Sequence, residues 1–395
     1  MINGSVLIKN VNAVLIDRVA NDVDVLVVDG KIKNIQNSIY ADNVESIDGS
    51  GCYLFPGFVD MHIHGGGGAD FMDGTVSAFE TAINAHLKRG TTTLAPTALT
   101  ASKDEIIGFV KAYNELVANG DFSDCVCGMH LEGPYFSNSN DKSKGAQSSG
   151  YIRDIDFHEV EEILSLANGN IIRWDAAPEI ENSHKFAKIM VDNGIICGVA
   201  HTNAIAEEAQ SAFENGFSHI THFYNATTAY LKRGQKVTAG VVEATYLNDN
   251  VTVELICDGR HIPKTCLQLA LKIKGADKVA GITDAIRMSA TDMTEGKLGS
   301  ETNGTYVIVD DAVAKLPDLS SYAGSICTMD RALRVLCVDY GVDVVTASKM
   351  LSSTPACLMN IDDKVGSVQV GKNADLVLVN KDFDVINVFK NGKIV

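Results

Sequence analysis

The chain has 395 residues, 46% hydrophobic and 21% charged, with 34 glycines and only 7 prolines, a composition that excludes disordered, collagenous and low-complexity classes. Its 50 acidic residues against 33 basic ones give a formal net charge of −17, a field that repels a phosphate backbone and excludes nucleic acid as an expected partner. No apolar run approaches the ~18 residues of a membrane span, so no membrane association is expected. Lys9 and Asp17 fall where a signal peptide needs a continuous apolar stretch. Nine cysteines are scattered without a CxxC, the pattern of reduced thiols, which predicts a cytoplasmic location.

In chain order, residues 5–8, 12–16, 23–28 and 31–35 read as short strands, with Asp29-Gly30 as a hairpin turn. The C-terminus reads the same way at 366–368, 376–379, 385–389 and 393–395. Two β-rich ends predict one small β-sandwich domain built from residues 1–55 and 366–395. Between them, β-branched apolar runs at 58–63, 91–94, 126–131, 171–177, 195–200, 219–223, 251–257 and 279–283 alternate with amphipathic stretches at 76–89, 103–119, 157–167, 184–193, 204–215 and 263–274. Strands alternating with helices indicate parallel βαβ units, and eight strands at roughly 30 residues per unit fit a (β/α)8 TIM barrel over 56–365. A doubly wound sheet is the competitor, but no GxGxxG follows a first strand. Residues 290–327 break the period and predict a loop or hairpin insertion, with helices resuming at 329–340 and 344–351.

Of ten histidines, His86, His158 and His184 fall in predicted helices and read as surface or capping imidazoles. The other seven lie in or just after predicted strands, the end of a barrel where active sites form. His62 and His64 flank Ile63, and strand alternation puts both rings on one face. Glu132 lies about two barrel units after His64, His201 about two after Glu132, and Asp284 about two after His222, at roughly 30 residues per unit. His222 follows His201 by one short unit. The set therefore maps onto the C-terminal ends of strands one, three, five, six and eight. Imidazoles and carboxylates converging on one mouth supply the neutral nitrogens and the charge that a divalent metal needs. Asp284 reads as a ligand, a strand-end cap or a proton shuttle; with no other ionisable group at that strand end, the shuttle is favoured.

With these residues in hand, the chain resembles the amidohydrolase superfamily, and specifically its N-acetylglucosamine-6-phosphate deacetylases. The segments PGFVDMHIHG at 56–65, HLEGP at 130–134, GVAHTN at 198–203, THFYNA at 221–226, DGRH at 258–261, TDA at 283–285 and VGKNADL at 370–376 stand in family order. The resemblance implies a metal held by Glu132, His201 and His222, a possible second ion at His62 and His64, and Asp284 as general base and acid. The metal would be zinc, iron, manganese or similar, one or two per subunit. Many dinuclear relatives use a carboxylated lysine on strand four, and 171–179 contains no lysine, so Glu132 would replace it as the shared carboxylate. By the same resemblance an amino-sugar phosphate would lie against Ala146, Gln147, Asn225, Ala226, Arg233, Asp258, Gly259, Arg260, His261, Tyr322, Ala323 and Gly324, in a homodimer. The expected reaction is hydrolysis of N-acetylglucosamine 6-phosphate to glucosamine 6-phosphate and acetate, with His261 assisting at the tetrahedral oxyanion. The sequence departs from the family at Thr227-Thr228-Ala229 and Arg233-Gly234-Gln235-Lys236, and Gln147 stands where some members have histidine. These departures leave the galactosamine epimer, or another small N-acyl compound, as the alternative. A metal-containing binding protein without catalysis is the remaining reading, and intact Asp284, Glu132, His201 and His222 weigh against it.

Overall fold

The computed structural model describes residues 5–139, 141–233 and 235–395, and the side chains of Asp141 and Arg233 lie outside that set. Strands β1 (Val6–Val14), β2 (Val19–Val28), β3 (Lys31–Gln36), β4 (Glu45–Asp48) and β5 (Tyr53–Pro56) open the chain. β1 and β2 pair antiparallel, with Val6 opposite Val27, while β4 and β5 run parallel to β1 along its other edge. The two strands expected at 5–8 and 12–16 are one, bulged where Asn10 takes φ +58°.

Eight parallel strands follow: β6 (Phe58–Ile63), β7 (Thr91–Ala98), β8 (Met129–Glu132), β9 (Ile171–Ala176), β10 (Ile196–Val199), β11 (Phe217–Ile220) and, after a hairpin of β12 (Leu231–Arg233) and β13 (Lys236–Thr238), β14 (Thr252–Ile256) and β15 (Val279–Ile282). Each pairs with the next in chain order, the hairpin excepted. The ring is completed by the Asp284 N–H donating to the His62 carbonyl at 3.0 Å and Thr283 Oγ1 donating to Asp60 Oδ2 at 2.5 Å. The expected barrel is therefore present.

All six expected inter-strand helices form, at Val76–Leu87, Lys103–Asn119, Phe157–Ala167, Ser183–Asp192, Ala206–Glu214 and Lys264–Lys274. The second shows why its start is sharp: Ser102 and Glu105 close a reciprocal capping box, and Ile106, Phe109, Val110 and Tyr113 face inward. Two further helices, Asp141–Lys144 and Val241–Tyr246, are too short to leave a periodic signal. Residues 290–327 hold a small antiparallel sheet of β16 (Glu295–Leu298), β17 (Thr305–Asp310) and β18 (Val313–Lys315), and the helix at Met329–Arg334 continues through Val335–Asp339.

The last strands, β19 (Leu376–Val379), β20 (Val385–Lys390) and β21 (Lys393–Ile394), return to β5, with Leu376 opposite Pro56. A second, β-rich domain built from both termini is thus present. Its eight strands share one hydrogen-bonded sheet, ordered β21-β20-β19-β5-β1-β2-β3 with β4 on β1. The sheet curls back on itself: the Ile32 N–H donates to the Lys372 carbonyl at 2.9 Å, and the Gly371 N–H to the Ile32 carbonyl at 2.8 Å. Ile8, Val25, Leu54, Leu376, Leu378 and Phe389 form its core. Residues 366–368, expected as a strand, are not one. Buried Lys390 ties this sheet to the barrel, donating to Asp375 Oδ2 at 2.8 Å and to the Thr92 carbonyl of β7 at 3.0 Å. Among the described residues, no helix is long and apolar enough to cross a membrane.

Candidate active site at the barrel mouth

The residues that converge stand at strand ends. His62 is in β6 and His64 just beyond it, Glu132 is the last residue of β8, and His201, His222 and Asp284 lie two residues past β10, β11 and β15. The last three take φ of +45°, +29° and +50°, a left-handed turn that costs a non-glycine residue ~1–3 kcal/mol. That turn swings each side chain off its strand and into the mouth. All six are buried.

They form two groups, Glu132 with His201 and His222, and His62 with His64 and Asp284. Glu132 Oε1 lies 3.0 Å from Nε2 of both His201 and His222, and its Oε2 lies 3.4 Å from His64 Nε2 and 3.8 Å from His62 Nε2. This carboxylate thus stands between the groups. Asp284 Oδ1 is 3.1 Å from His64 Nε2 and 3.5 Å from His62 Nε2. Burial pushes Glu132 up, but when His201 and His222 are doubly protonated their Nε2–H bonds outweigh it and hold the carboxyl well below its ordinary range. In that same protonated state Asp284 is also held below its ordinary value, burial being overcome by the hydrogen bond from the His64 imidazolium and the charges of His62 and His64.

Tautomers decide what this cluster is for. Nδ1 of His64, His201 and His222 faces the backbone carbonyls of Thr97 (3.2 Å), Ser143 (2.9 Å) and Asn225 (3.1 Å), and a carbonyl can only accept. Nδ1 of His62 donates to Glu254 Oε1 at 2.6 Å. In the neutral rings every Nε2 is therefore a bare lone pair, yet His62 and His64 bring theirs to 3.1 Å and His201 and His222 to 3.2 Å. Lone pairs aimed at one another repel unless a cation lies among them, and imidazoles fixed through Nδ1 are the usual metal-ligand arrangement. The donor set fits a divalent ion in both groups.

Behind the mouth, inside the barrel, lies a polar layer that sequence reasoning missed. Arg173 on β9 binds Asp175 (Nε to Oδ1, 2.8 Å) and Glu254 on β14 (Nη1 to Oε2, 2.5 Å), and His130 Nε2 meets Asp175 Oδ2 at 2.8 Å. Burial and the Arg173 guanidinium push His130 down to about 3. The available signal was a charged residue at alternate positions of runs otherwise reading as buried strands. His86 is a correction: it is fully buried, with Nε2 donating to the Gly65 carbonyl at 2.9 Å, because the helix carrying it packs against the glycine hairpin after β6. His158 and His184 are exposed as expected.

A cavity of about 150 Å³ opens over the two groups. Of the expected substrate contacts, Ala146, Gln147, Asn225, Ala226, His261, Tyr322 and Gly324 line it, together with Lys142, Leu99, Ile256 and Leu298. Gln147 Nε2 donates to Glu132 Oε2 at 2.9 Å, and Asn225 Nδ2 is buried without a hydrogen-bond partner among the described residues. Asp258, Gly259, Arg260 and Ala323 do not line the cavity. Asp258 sits beneath it, fixing His261 Nδ1 at 2.7 Å. Arg260 is turned away onto Asp311 at 2.9 Å, because the 290–327 insertion offers that carboxylate. The Arg233 side chain lies outside the described residues.

The profile of the Amidohydrolase family matches residues 53–395. The chain belongs to that family. Among amidohydrolases it is 32% identical to the N-acetylglucosamine-6-phosphate deacetylase of Lysinibacillus sphaericus, over 99% of this chain and 97% of the relative. It is 27% identical to the N-acetylgalactosamine-6-phosphate deacetylase of Escherichia coli O157:H7, over 86% of this chain and 87% of the relative. The crystal structure of N-acetylglucosamine-6-phosphate deacetylase from Pasteurella multocida superposes with a TM-score of 0.90 at 28% identity, covering 99% of each chain.

Proposed function

We propose that this amidohydrolase hydrolyses the acetamide of N-acetylglucosamine 6-phosphate, releasing acetate and glucosamine 6-phosphate. The observation that carries the reading is Asp284 facing the Glu132, His201 and His222 group across a single cavity, in a chain related over its whole length to deacetylases of that substrate. Glu132, His201 and His222 would hold one divalent ion of the zinc, iron or manganese type, and His62 and His64 a second. When bound, such an ion activates water and polarises the amide carbonyl. Asp284 is ionised and within the same cavity, so its carboxylate takes the proton of the attacking water and returns it to the amine nitrogen as the C–N bond breaks. His261, with Nδ1 held by Asp258, keeps Nε2 as its remaining polar atom for the substrate. The Asn225 amide, without a hydrogen-bond partner among the described residues, supplies a donor in the cavity wall for a polar sugar.

A second reading, the galactosamine epimer, is supported by the Escherichia coli relative and by the sequence departures at Thr227-Thr228-Ala229, which follow the cavity-lining Asn225 and Ala226. The same proposal places the enzyme in the cytoplasm, where its nine free thiols stay reduced, and makes it a homodimer. The test is acetate release over N-acetylglucosamine 6-phosphate, N-acetylgalactosamine 6-phosphate and unphosphorylated N-acetylglucosamine, before and after chelation. The glucosamine epimer with phosphate is expected to have the highest kcat/KM, and chelation to abolish turnover. Acetate release that survives complete metal removal, or its absence on all three, overturns the reading.

A further inference from the structure

Glu254 occupies the middle of β14 with no exposed surface, in the wall shared by the two ligand groups. One of its oxygens serves both: Oε1 accepts from His62 Nδ1 at 2.6 Å and from the backbone N–H of His222 at 3.0 Å. Arg173 holds the same carboxylate from behind with two donors, Nη1 to Oε2 at 2.5 Å and Nη2 to Oε1 at 3.1 Å. Both contacts address a difficulty in the site. The His62 ring must be kept with Nδ1 protonated and Nε2 bare, and His222 must be kept in its left-handed turn.

We propose that Glu254 is the positioning residue of this centre, locking one histidine of each group, the ring of His62 and the backbone of His222, so that the two sets of Nε2 atoms stay convergent for metal. This rests on the metal-dependent reading above. The competing explanation is that Glu254 only balances the buried Arg173 charge, and Asp175 provides the matched comparison. Asp175 binds the same guanidinium (2.8 and 3.0 Å) but touches neither His62 nor His222. Glu254→Gln leaves the Arg173–Asp175 pair intact, and Asp175→Asn leaves the Arg173–Glu254 pair intact, so each keeps one carboxylate on the buried cation.

The experiment is titration of chelator-stripped full-length protein with Co(II) alone, read by visible absorption and by bound metal per chain. Melting curves establish that each variant is folded. Glu254→Gln is expected to weaken Co(II) binding by ~10–100-fold and to change the visible spectrum, while Asp175→Asn stays close to wild type. Glu254→Asp keeps the charge for Arg173 but withdraws the oxygen from His62, and is expected to weaken Co(II) in the same range; it stands in if the glutamine variant does not fold. Wild-type affinity in a folded Glu254 variant overturns the proposal, as does equal weakening in Asp175→Asn, which would leave charge balance as the role. Failure of the wild-type protein to bind Co(II) at all overturns the metal reading itself and is thereby distinguishable.

Discussion

Asp284 stands where three demands meet: a left-handed backbone, a hydrogen bond at its carbonyl and a carboxylate in the cavity. Its carbonyl accepts the Ser325 N–H at 2.7 Å, and Gly324 packs so closely behind it that a Cβ there would come 3.0 Å from that oxygen. Asparagine is nearly isosteric and tolerates the left-handed region, so Asp284→Asn is expected to preserve the fold and the ion held by Glu132, His201 and His222. The amide cannot take and return a proton. We expect kcat to fall by at least ~10²–10⁴-fold, the usual worth of general acid–base catalysis, with KM changed little. A kcat within a few-fold of wild type at unchanged metal content would put the shuttle elsewhere, with His261 next in line. At this scale the sequence was informative: strand ends, HxH spacing and HLEGP pointed to residues that the fold brings together. Asp258 and Arg260 were expected against the substrate and neither lines the cavity, because which way a loop side chain turns depends on the insertion it meets, and spacing carries no record of that.

The barrel strands owe their register to what lies between them as well as to their hydrogen bonds. Gly198 on β10 stands opposite Asp175 on β9, and a Cβ at 198 would fall inside the van der Waals radius of Asp175 Oδ1. That oxygen cannot give way, because Arg173 and His130 hold the carboxylate on both sides. Gly198→Ala is therefore expected to lower stability by about 1–3 kcal/mol, the cost of overpacking a fixed interior, seen as an earlier urea or thermal midpoint. An unchanged midpoint would mean that the polar layer is softer than its hydrogen bonds imply. The same layer explains what the alternation pattern failed to reveal. Runs such as 171–177 and 251–257 read as apolar strands, and the charge inside them is legible only once Arg173, Asp175 and Glu254 are known to face one another. The short helix Val241–Tyr246 and the strands Glu45–Asp48 and Tyr53–Pro56 escaped for a simpler reason, since a few residues make no period.

At the scale of the whole molecule, the small sheet is the seam of the chain. β19, β20 and β21 supply Leu376, Leu378 and Phe389 to its core, cover the edge of β5, and carry the Lys390 tie to β7. Removal of residues 376–395 is expected to expose that apolar face and an unpaired edge, giving insoluble or aggregated protein by light scattering. A monodisperse truncated chain melting like wild type would show that the barrel stands without the sheet. The pairing of β5 with β19 also has a consequence for biosynthesis. β5 leaves the ribosome ahead of the whole barrel and its partner after it, so at ~5–20 residues per second β5 waits on the order of tens of seconds. Throughout that interval the nascent chain carries an open strand edge while the barrel closes beside it. Residues 376–395 thus act as a latch, and the need to shield the waiting edge, by chaperone or by transient self-contact, is written into the order of synthesis.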